Sequence, residues 1–341
     1  MEKNKILVTG GAGYLGSHTI IELLEGGIYE PISVDNFSNS SPEVFRLIEK
    51  ITNKSVKNYT VNLCDKSQVE QIFIENPDIT GIIHFAALKS VPESVEQPLR
   101  YYHNNLESLG NILHCCQKFA ISHFIFSSSC SVYGNVEKLP VNEKTPLNQC
   151  ESPYAETKKM GERILTDFVK TSQTQLIALR YFNPVGAHIS GWNGENPINS
   201  PTNLVPVITK TAIGEIKQLT VFGDDFDTRD GSCVRDYVHV SDIAEAHILA
   251  LNYLKDKRNK SNLEIINLGT GNGVTVLEAI EAFERVSGIK LNYRIGERRA
   301  GDVAAIYSDI TLSHERLGWK PRYDLDDMME SAWKWQQNLS Q

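Results

Sequence analysis

Short apolar runs alternate with longer amphipathic stretches through the first half of this chain, and that alternation constrains the fold more than any other feature. KILVT is followed by an amphipathic stretch from Tyr14 to Leu24, PISVD by Glu43 to Ile51, and NYTVN by Val69 to Ile74. ITGIIHFAA precedes Leu99 to Phe119, HFIFSSS precedes Ala155 to Val169, and QLIALRYFN closes the series. A strand that reads as an unbroken apolar run is covered on both faces, and strands separated by helices pair in parallel. The pattern predicts an α/β fold with a doubly wound, parallel, Rossmann-type sheet.

Near Pro184 the texture changes. SGWNGENPINSPTNLVP is rich in Gly, Asn, Ser and Pro and reads as loop. Beyond it the units are shorter: LTVFG, VRDYVHV, the helical SDIAEAHILALNYL, the strand-like EIINLG and the helical TVLEAIEAFERV. We expect two domains, residues 1–183 and a smaller mixed α/β part over 184–341, with the helix near 241–254 able to pack back on the first.

With 341 residues the chain can bury a substantial core. A net charge of -8 gives no footprint for nucleic acid, which favours a basic face. No apolar run reaches the length needed to cross a bilayer, and MEKNKILVTG enters a strand without a leader, so a cytoplasmic protein with no membrane partner is expected. Six cysteines without a C-x-x-C pair read as reduced thiols, mostly in the core, and the nine histidines are scattered; no metal site is expected.

GGAGYLG, with Gly10, Gly13 and Gly16, stands between the strand KILVT and a helix. A glycine pattern is weak alone, but strand and helix flank it as dinucleotide binding requires. Gly10 would allow the tight turn, Gly13 the approach of a pyrophosphate to the helix N-terminus, and Gly16 close packing. Asp35, ending PISVD, is placed to bind the adenosine ribose hydroxyls and to repel a 2′-phosphate, which favours NAD over NADP. The plain alternatives are a glycine-rich turn and a capping role for Asp35.

Tyr154 and Lys158, in SPYAETK, lie one helical turn apart and follow a strand ending in Ser127, Ser128 and Ser129. With 13 tyrosines, about one Tyr-x-x-x-Lys is expected by chance, and Tyr253 with Lys257 is such a pair, read as solvated surface. In the first pair, Tyr154 would transfer a proton, Lys158 would lower its pKa or hold a nicotinamide ribose, and Ser129 would hydrogen-bond the reacting hydroxyl. Bringing a phenol from about 10 to about 7 takes roughly 4 kcal/mol of preferential phenolate stabilisation.

GGAGYLGSH, HFAALKSVPES, SSSCSVYG, SPYAETK, LRYFNPVGAH and VRDYVHVSD together resemble the extended short-chain dehydrogenase/reductases that act on nucleotide sugars, most closely the 4-epimerases among them. The glycine spacing G-x-x-G-x-x-G is similar to theirs, and the likeness runs from Lys5 to about Trp335. It implies NAD held tightly in the larger part, a UDP-sugar in the cleft, a homodimer, and reversible 4-epimerisation of UDP-glucose and UDP-galactose through a 4-keto sugar, with Ser129, Tyr154 and Lys158 as the catalytic group. It further implies a cofactor site of Gly10, Gly13, Tyr14, Leu15, Gly16, Asp35, Asn36, Asn39, Ser40, Asn62, Leu63, Phe85, Lys89, Asn104, Tyr154, Lys158 and Tyr181. Lys89, Ser129, Tyr154, Asn183, Asn203, Leu204, Phe222, Arg235, Arg299, Asp302 and Ile306 would contact the UDP-sugar. Two arginines suit a diphosphate because each makes forked hydrogen bonds to its oxygens.

Two positions depart from the pattern. Asn62 stands where relatives often carry an acid near the adenine, and it can still accept a hydrogen bond. Ile306 stands at a gate that is a tyrosine in enzymes restricted to unacetylated sugars and a small residue in those accepting N-acetylhexosamines, which leaves UDP-N-acetylglucosamine and UDP-N-acetylgalactosamine open. The competing readings are a UDP-uronate 4-epimerase, a non-catalytic NAD-sensing protein, and a nucleotide-sugar 4,6-dehydratase. The last needs acids after the strand serine, where this chain has Cys130 and Ser131.

Overall fold

The computed structural model describes residues 4–198, 201, 203–299 and 302–340. In the first half the strands are β1 (Asn4–Thr9), β2 (Tyr29–Val34), β3 (Lys57–Tyr59), β4 (Ile79–His84), β5 (His123–Ser129) and β6 (Gln175–Tyr181). Between them run α1 (Tyr14–Gly26), α2 (Glu43–Thr52), α3 (Lys66–Glu75), α4 (Val91–Glu96), α5 (Pro98–Lys118) and α6 (Pro153–Phe168). The second half adds β7 (Asn183–Val185), α7 (Leu204–Ala212), β8 (Leu219–Phe222), β9 (Val234–Arg235), β10 (Tyr237–His239), α8 (Val240–Lys255) and β11 (Leu263–Leu268). It ends with β12 (Val274–Thr275), α9 (Val276–Ser287), β13 (Tyr293–Gly296), β14 (Ala305–Ile306), α10 (Thr311–Leu317) and α11 (Leu325–Leu339).

Seven strands form one sheet in the order β11-β6-β5-β4-β1-β2-β3, every neighbouring pair parallel. Side chains alternate across a strand, and the apolar runs therefore feed two cores. Ile6 and Val8 of β1 join Ile125, Ile177, Ile20 and Ile243 on one face, while Leu7 joins Phe124, Phe126, Phe73 and Leu109 on the other. The strand order reverses between β1 and β4, where a crevice opens at the carboxyl ends of a parallel sheet.

Two elements from beyond Pro184 belong to this sheet: β11 pairs with β6, and α8 packs against α1. SDIAEAHILALNYL is apolar almost all round because it is buried almost all round, with Ile243, Ala246, Ala250 and Leu254 in the core. The pair read as solvated surface is corrected here. Tyr253 is buried in α8, its hydroxyl directed at Glu264, and only Lys257, past the helix end, is exposed. The rest of the second half has its own core, in which Val205, Ile208, Val221, Phe283 and Met329 pack together from α7, β8, α9 and α11. Small sheets β7–β10, β9 with β12 and β14, and β8–β13 surround it. The cysteines are unpaired; Cys115, Cys116 and Cys233 are buried, and Cys64, Cys130 and Cys150 half-buried.

A buried ion pair fastens α6 to the sheet. Arg180 of β6 forks onto Glu162 of α6 at 2.8 and 2.6 Å, and Ser128 of β5 donates to the same carboxylate at 2.6 Å. The remaining guanidinium nitrogen donates to the Tyr133 hydroxyl at 3.0 Å, which donates to Asn267 at 2.7 Å. Breaking such a pair from one side leaves a buried charge uncompensated. Arg180→Met should therefore cost about 3–5 kcal/mol in urea unfolding, and Arg180→Met with Glu162→Leu should recover most of it; a double variant as weak as the single one would contradict this origin.

Candidate active site

The carboxyl ends of the central strands and the small sheets of the second half face one another across a cleft of about 1010 Å³. Gly10 follows β1 with φ +72°, and a Cβ there would stand 2.9 Å from the Ala86 nitrogen. At Gly16 a Cβ would fall 2.1 Å from the Gly10 carbonyl oxygen, so α1 packs on the turn as closely as a glycine permits. A Cβ on Gly13 would meet only the Gly10 carbonyl, at 3.2 Å, and Gly13 lines the cleft. No side chain caps α1 and no acid stands in its first turn, so its positive end faces the opening. Asp35, at the cleft wall, accepts from the Ala12 nitrogen at 3.0 Å, the Phe37 nitrogen at 2.8 Å and the Ser40 hydroxyl at 2.9 Å. It thus ties down the loops on either side of the wall it lines.

Ser152 caps α6 by accepting from the Ala155 nitrogen, with Pro153 beginning the helix, and this start sets Tyr154 in the first turn above the end of β5. Lys158, buried one turn on, donates to the Ser127 carbonyl at 2.7 Å, with its Nζ 6.0 Å from the centre of the Tyr154 ring. Burial pushes the Lys158 ammonium down to about 8. Burial also pushes the Tyr154 phenol up to about 12, against a hydrogen bond with Ser129 that works the other way. The expected lowering of Tyr154 by Lys158 is not what these groups produce by themselves, because both lose hydration and the lysine is engaged with a carbonyl. Ser129 accepts from the nitrogen and hydroxyl of Ser131 at 3.2 and 2.9 Å. The Cys130 thiol, also pushed up to about 12 by burial, is neutral at the point where a dehydratase would need an acid.

Every residue expected on the cofactor side, from Gly10 through Asp35, Phe85 and Lys89 to Tyr181, lines this cleft. Tyr181 presents its ring, since its hydroxyl donates to His247 Nε2 at 2.6 Å while His247 Nδ1 donates to the Ile243 carbonyl at 2.8 Å. On the opposite wall stand Asn183, Asn203, Arg235, Arg299, Asp302 and Ile306. Arg235 and Arg299 converge on Asp302, at 3.4 and 2.9 Å, leaving one net positive charge in the group. Leu204 and Phe222 do not line the cleft: Leu204 packs into the second core, and Phe222, 39% exposed, lies under the Arg299 guanidinium at 4.8 Å. Among the described residues no group of three or more His, Cys, Asp or Glu could hold a metal ion, and no helix is long and apolar enough to cross a membrane.

Sequence reasoning missed Glu195, Asn193 and Trp335, which also line the cleft. Glu195 accepts from Lys89 and from Asn203, both at 2.8 Å, and so joins the two walls. Its position in the Gly- and Asn-rich loop carries no periodic signal; only the convergence of acid, lysine and asparagine in space reveals it.

Residues 6–269 match the model of the NAD dependent epimerase/dehydratase family. The chain is 46% identical over 338 residues to the UDP-glucose 4-epimerase of Drosophila melanogaster, covering 97% of this chain and 96% of the relative. It is 46% identical over 332 residues to the UDP-glucose 4-epimerase of Bacillus subtilis, with the same coverage. The crystal structure of UDP-glucose 4-epimerase from Bifidobacterium longum in complex with NAD+ and UDP superposes with a TM-score of 0.93 at 45% identity, over 98% of each chain. This chain belongs to the NAD dependent epimerase/dehydratase family.

Proposed function

We propose that this protein is a UDP-hexose 4-epimerase that interconverts UDP-glucose and UDP-galactose with NAD as its resident cofactor. The observation that carries the reading is the shared cleft: Tyr154, Ser129 and Lys158 stand between a glycine turn with an open helix N-terminus and a pair of arginines. The open face of Gly13, the uncapped α1 and the Asp35 carboxylate fit a dinucleotide, with the pyrophosphate at the helix and the ribose at the acid. When bound, NAD supplies a hydride acceptor that gives the hydride back within one cycle and adds positive charge to the site.

The chain's own residues do the rest. Tyr154 takes the proton from the sugar 4-hydroxyl and later returns one, with Ser129 orienting that hydroxyl. Lys158, at about 8, is mostly cationic at neutral pH and opposes the burial that keeps the phenol protonated. Arg235 and Arg299 hold the diphosphate while the 4-keto sugar turns over, and Asp302 keeps the two guanidiniums oriented. Ile306, buried beside Arg235 in the β14–β9 pairing, sets the room for the sugar. Without a carboxylate after Ser129, elimination of water lacks its proton donor, which disfavours the dehydratase branch.

The six unpaired thiols suit a reducing cytoplasm. Leu99 of α5 and Met160 of α6 are exposed apolar residues on neighbouring helices, and pairing of this face across a two-fold would form a homodimer. A sedimentation mass of one protomer at working concentration would refute the pairing.

The function is tested by offering UDP-glucose, UDP-galactose and both N-acetylated forms and following epimer formation. Tyr154→Phe should lower kcat by roughly two to four orders of magnitude while UDP binding persists; retention of full activity would remove Tyr154 from proton transfer. Ile306→Tyr should shift the ratio of the two substrate pairs toward the unacetylated one, and an unchanged ratio would remove Ile306 from the gate.

Lys158 also predicts a pH dependence. Its folded pKa of about 8 lies below the ordinary lysine value of 10.5, so between these pH values the unfolded chain binds more protons and stability rises with pH. Relative to Lys158→Met, the wild type should gain about 2.5 kcal/mol of unfolding free energy between pH 7 and pH 10. Parallel urea stabilities across that range would contradict the depressed lysine.

A further inference from the structure

The segment Ala187–Pro197 crosses from the second half over the glycine turn. Its Asn193, fully buried, donates to the Ser17 hydroxyl of α1 at 3.0 Å, and the Tyr14 hydroxyl donates to the Gly186 carbonyl at 2.7 Å just before the segment begins. Trp192 takes the Lys50 ammonium of α2 over its ring, 2.9 Å from the centroid, and Glu195 takes Lys89. From behind, α11 grips the backbone: Asn338 donates to the Gly191 carbonyl at 2.7 Å, Lys334 to that of Ile189 at 2.9 Å, and Trp335 to that of Glu195 at 3.2 Å. Gly194 lies so close to Trp335 that a Cβ would fall 2.4 Å from its ring. Asn193, Gly194, Glu195, Asn196 and Pro197 line the same cleft as Gly10–Ser17 and the Val44 and Leu47 side of α2.

A dinucleotide seated on the glycine turn thus lies in a cleft walled by α1 and α2 on one side and by residues of this segment on another. Lys50 lies one turn beyond Leu47, so the helix face that lines the cleft is the face that reaches Trp192. We propose that Ala187–Pro197 is a retention strap for the cofactor, with the Lys50–Trp192 cation–π contact as its outer clasp and Asn193 on Ser17 as its inner anchor. The strap rests on the reading that NAD binds at Gly10–Gly16. Its effect is kinetic: the cofactor leaves when the clasp opens, so the clasp sets the release rate.

The test measures release of NAD from purified holoenzyme into an excess of an NAD-trapping dehydrogenase, together with melting of the cofactor-free protein. Trp192→Ala and Lys50→Met should each speed release between about threefold and about thirtyfold, the span expected for a cation–π contact between exposed and desolvated limits. The double variant should equal the faster single one, because both remove one contact, and Lys50→Arg should restore slow release. The melting temperature of the cofactor-free variants should stay within about 2 °C of wild type, given the partial exposure of both side chains. Release at the wild-type rate in both single variants overturns the strap, and so does faster release matched by a general loss of apo stability. A wild-type protein that carries and takes up no NAD would instead overturn the cofactor site itself, so the two failures are distinct.

Discussion

The placement of the reacting groups depends on the buried contact among Arg180, Glu162 and Ser128. Ser128 shares its side of β5 with Phe124 and Phe126 and faces α6, while its neighbours supply the chemistry: the Ser127 carbonyl holds Lys158 and the Ser129 hydroxyl bonds Tyr154. Fixing Glu162 against Ser128 therefore fixes the rotation and height of the helix that bears Tyr154 and Lys158, four residues apart on the same face. Burying a carboxylate and a guanidinium costs several kcal/mol each, and a single charge contact does not offset it. Here both carboxylate oxygens accept from Arg180, Ser128 adds a third bond, and Tyr133 takes the remaining guanidinium nitrogen. Full satisfaction makes such a network rigid, and it holds Tyr154 and Lys158 in register above the end of β5.

The opposite wall is fixed by a second buried group. Asp236, between Arg235 and β10, accepts from the nitrogen and hydroxyl of Thr270, the nitrogen of Gly271, and the nitrogen and hydroxyl of Ser308. Burial alone pushes its carboxyl up, and these five donors oppose that. Thr270 follows β11 of the large sheet and Ser308 follows β14, so one carboxylate ties the end of the main sheet to the strands that carry Arg235 and Ile306. Ile306 itself packs in the core that holds Ile6 and Val8, so side-chain packing and this carboxylate together fix β14 against the main sheet.

What could be read from the sequence was what is local. The alternation of strands and helices, the turn at Gly10 to Gly16, and the pairing of Tyr154 with Lys158 each follow from contacts within a few residues or within one βα unit. Three kinds of feature did not follow. Tyr253 was misread because charge density in KDKRNK describes the end of α8, whereas burial is decided by the sheet and α1 between which the helix lies. EIINL was recognisable as a strand, but nothing in it says that it pairs beside β6 in the first sheet. His247, Asn193 and Glu195 act through partners dozens to well over a hundred residues away, at Tyr181, Ser17 and Lys89. Leu204 and Phe222 came from motif likeness alone, and they flank the cleft rather than line it.

Burial sets the electrostatics of Tyr154 and Lys158 against proton transfer in the unfilled cleft. Taking Tyr154 from about 12 to about 7 requires on the order of 7 kcal/mol of preferential phenolate stabilisation. The burial that pushes the phenol up also pushes the lysine down, so by themselves the two groups leave Tyr154 protonated. On the proposed reading, a cationic ring bound beside Tyr154 adds to what Lys158 gives. Unfilled, the site holds Tyr154 as a neutral phenol at pH 7, because burial outweighs its hydrogen bond with Ser129.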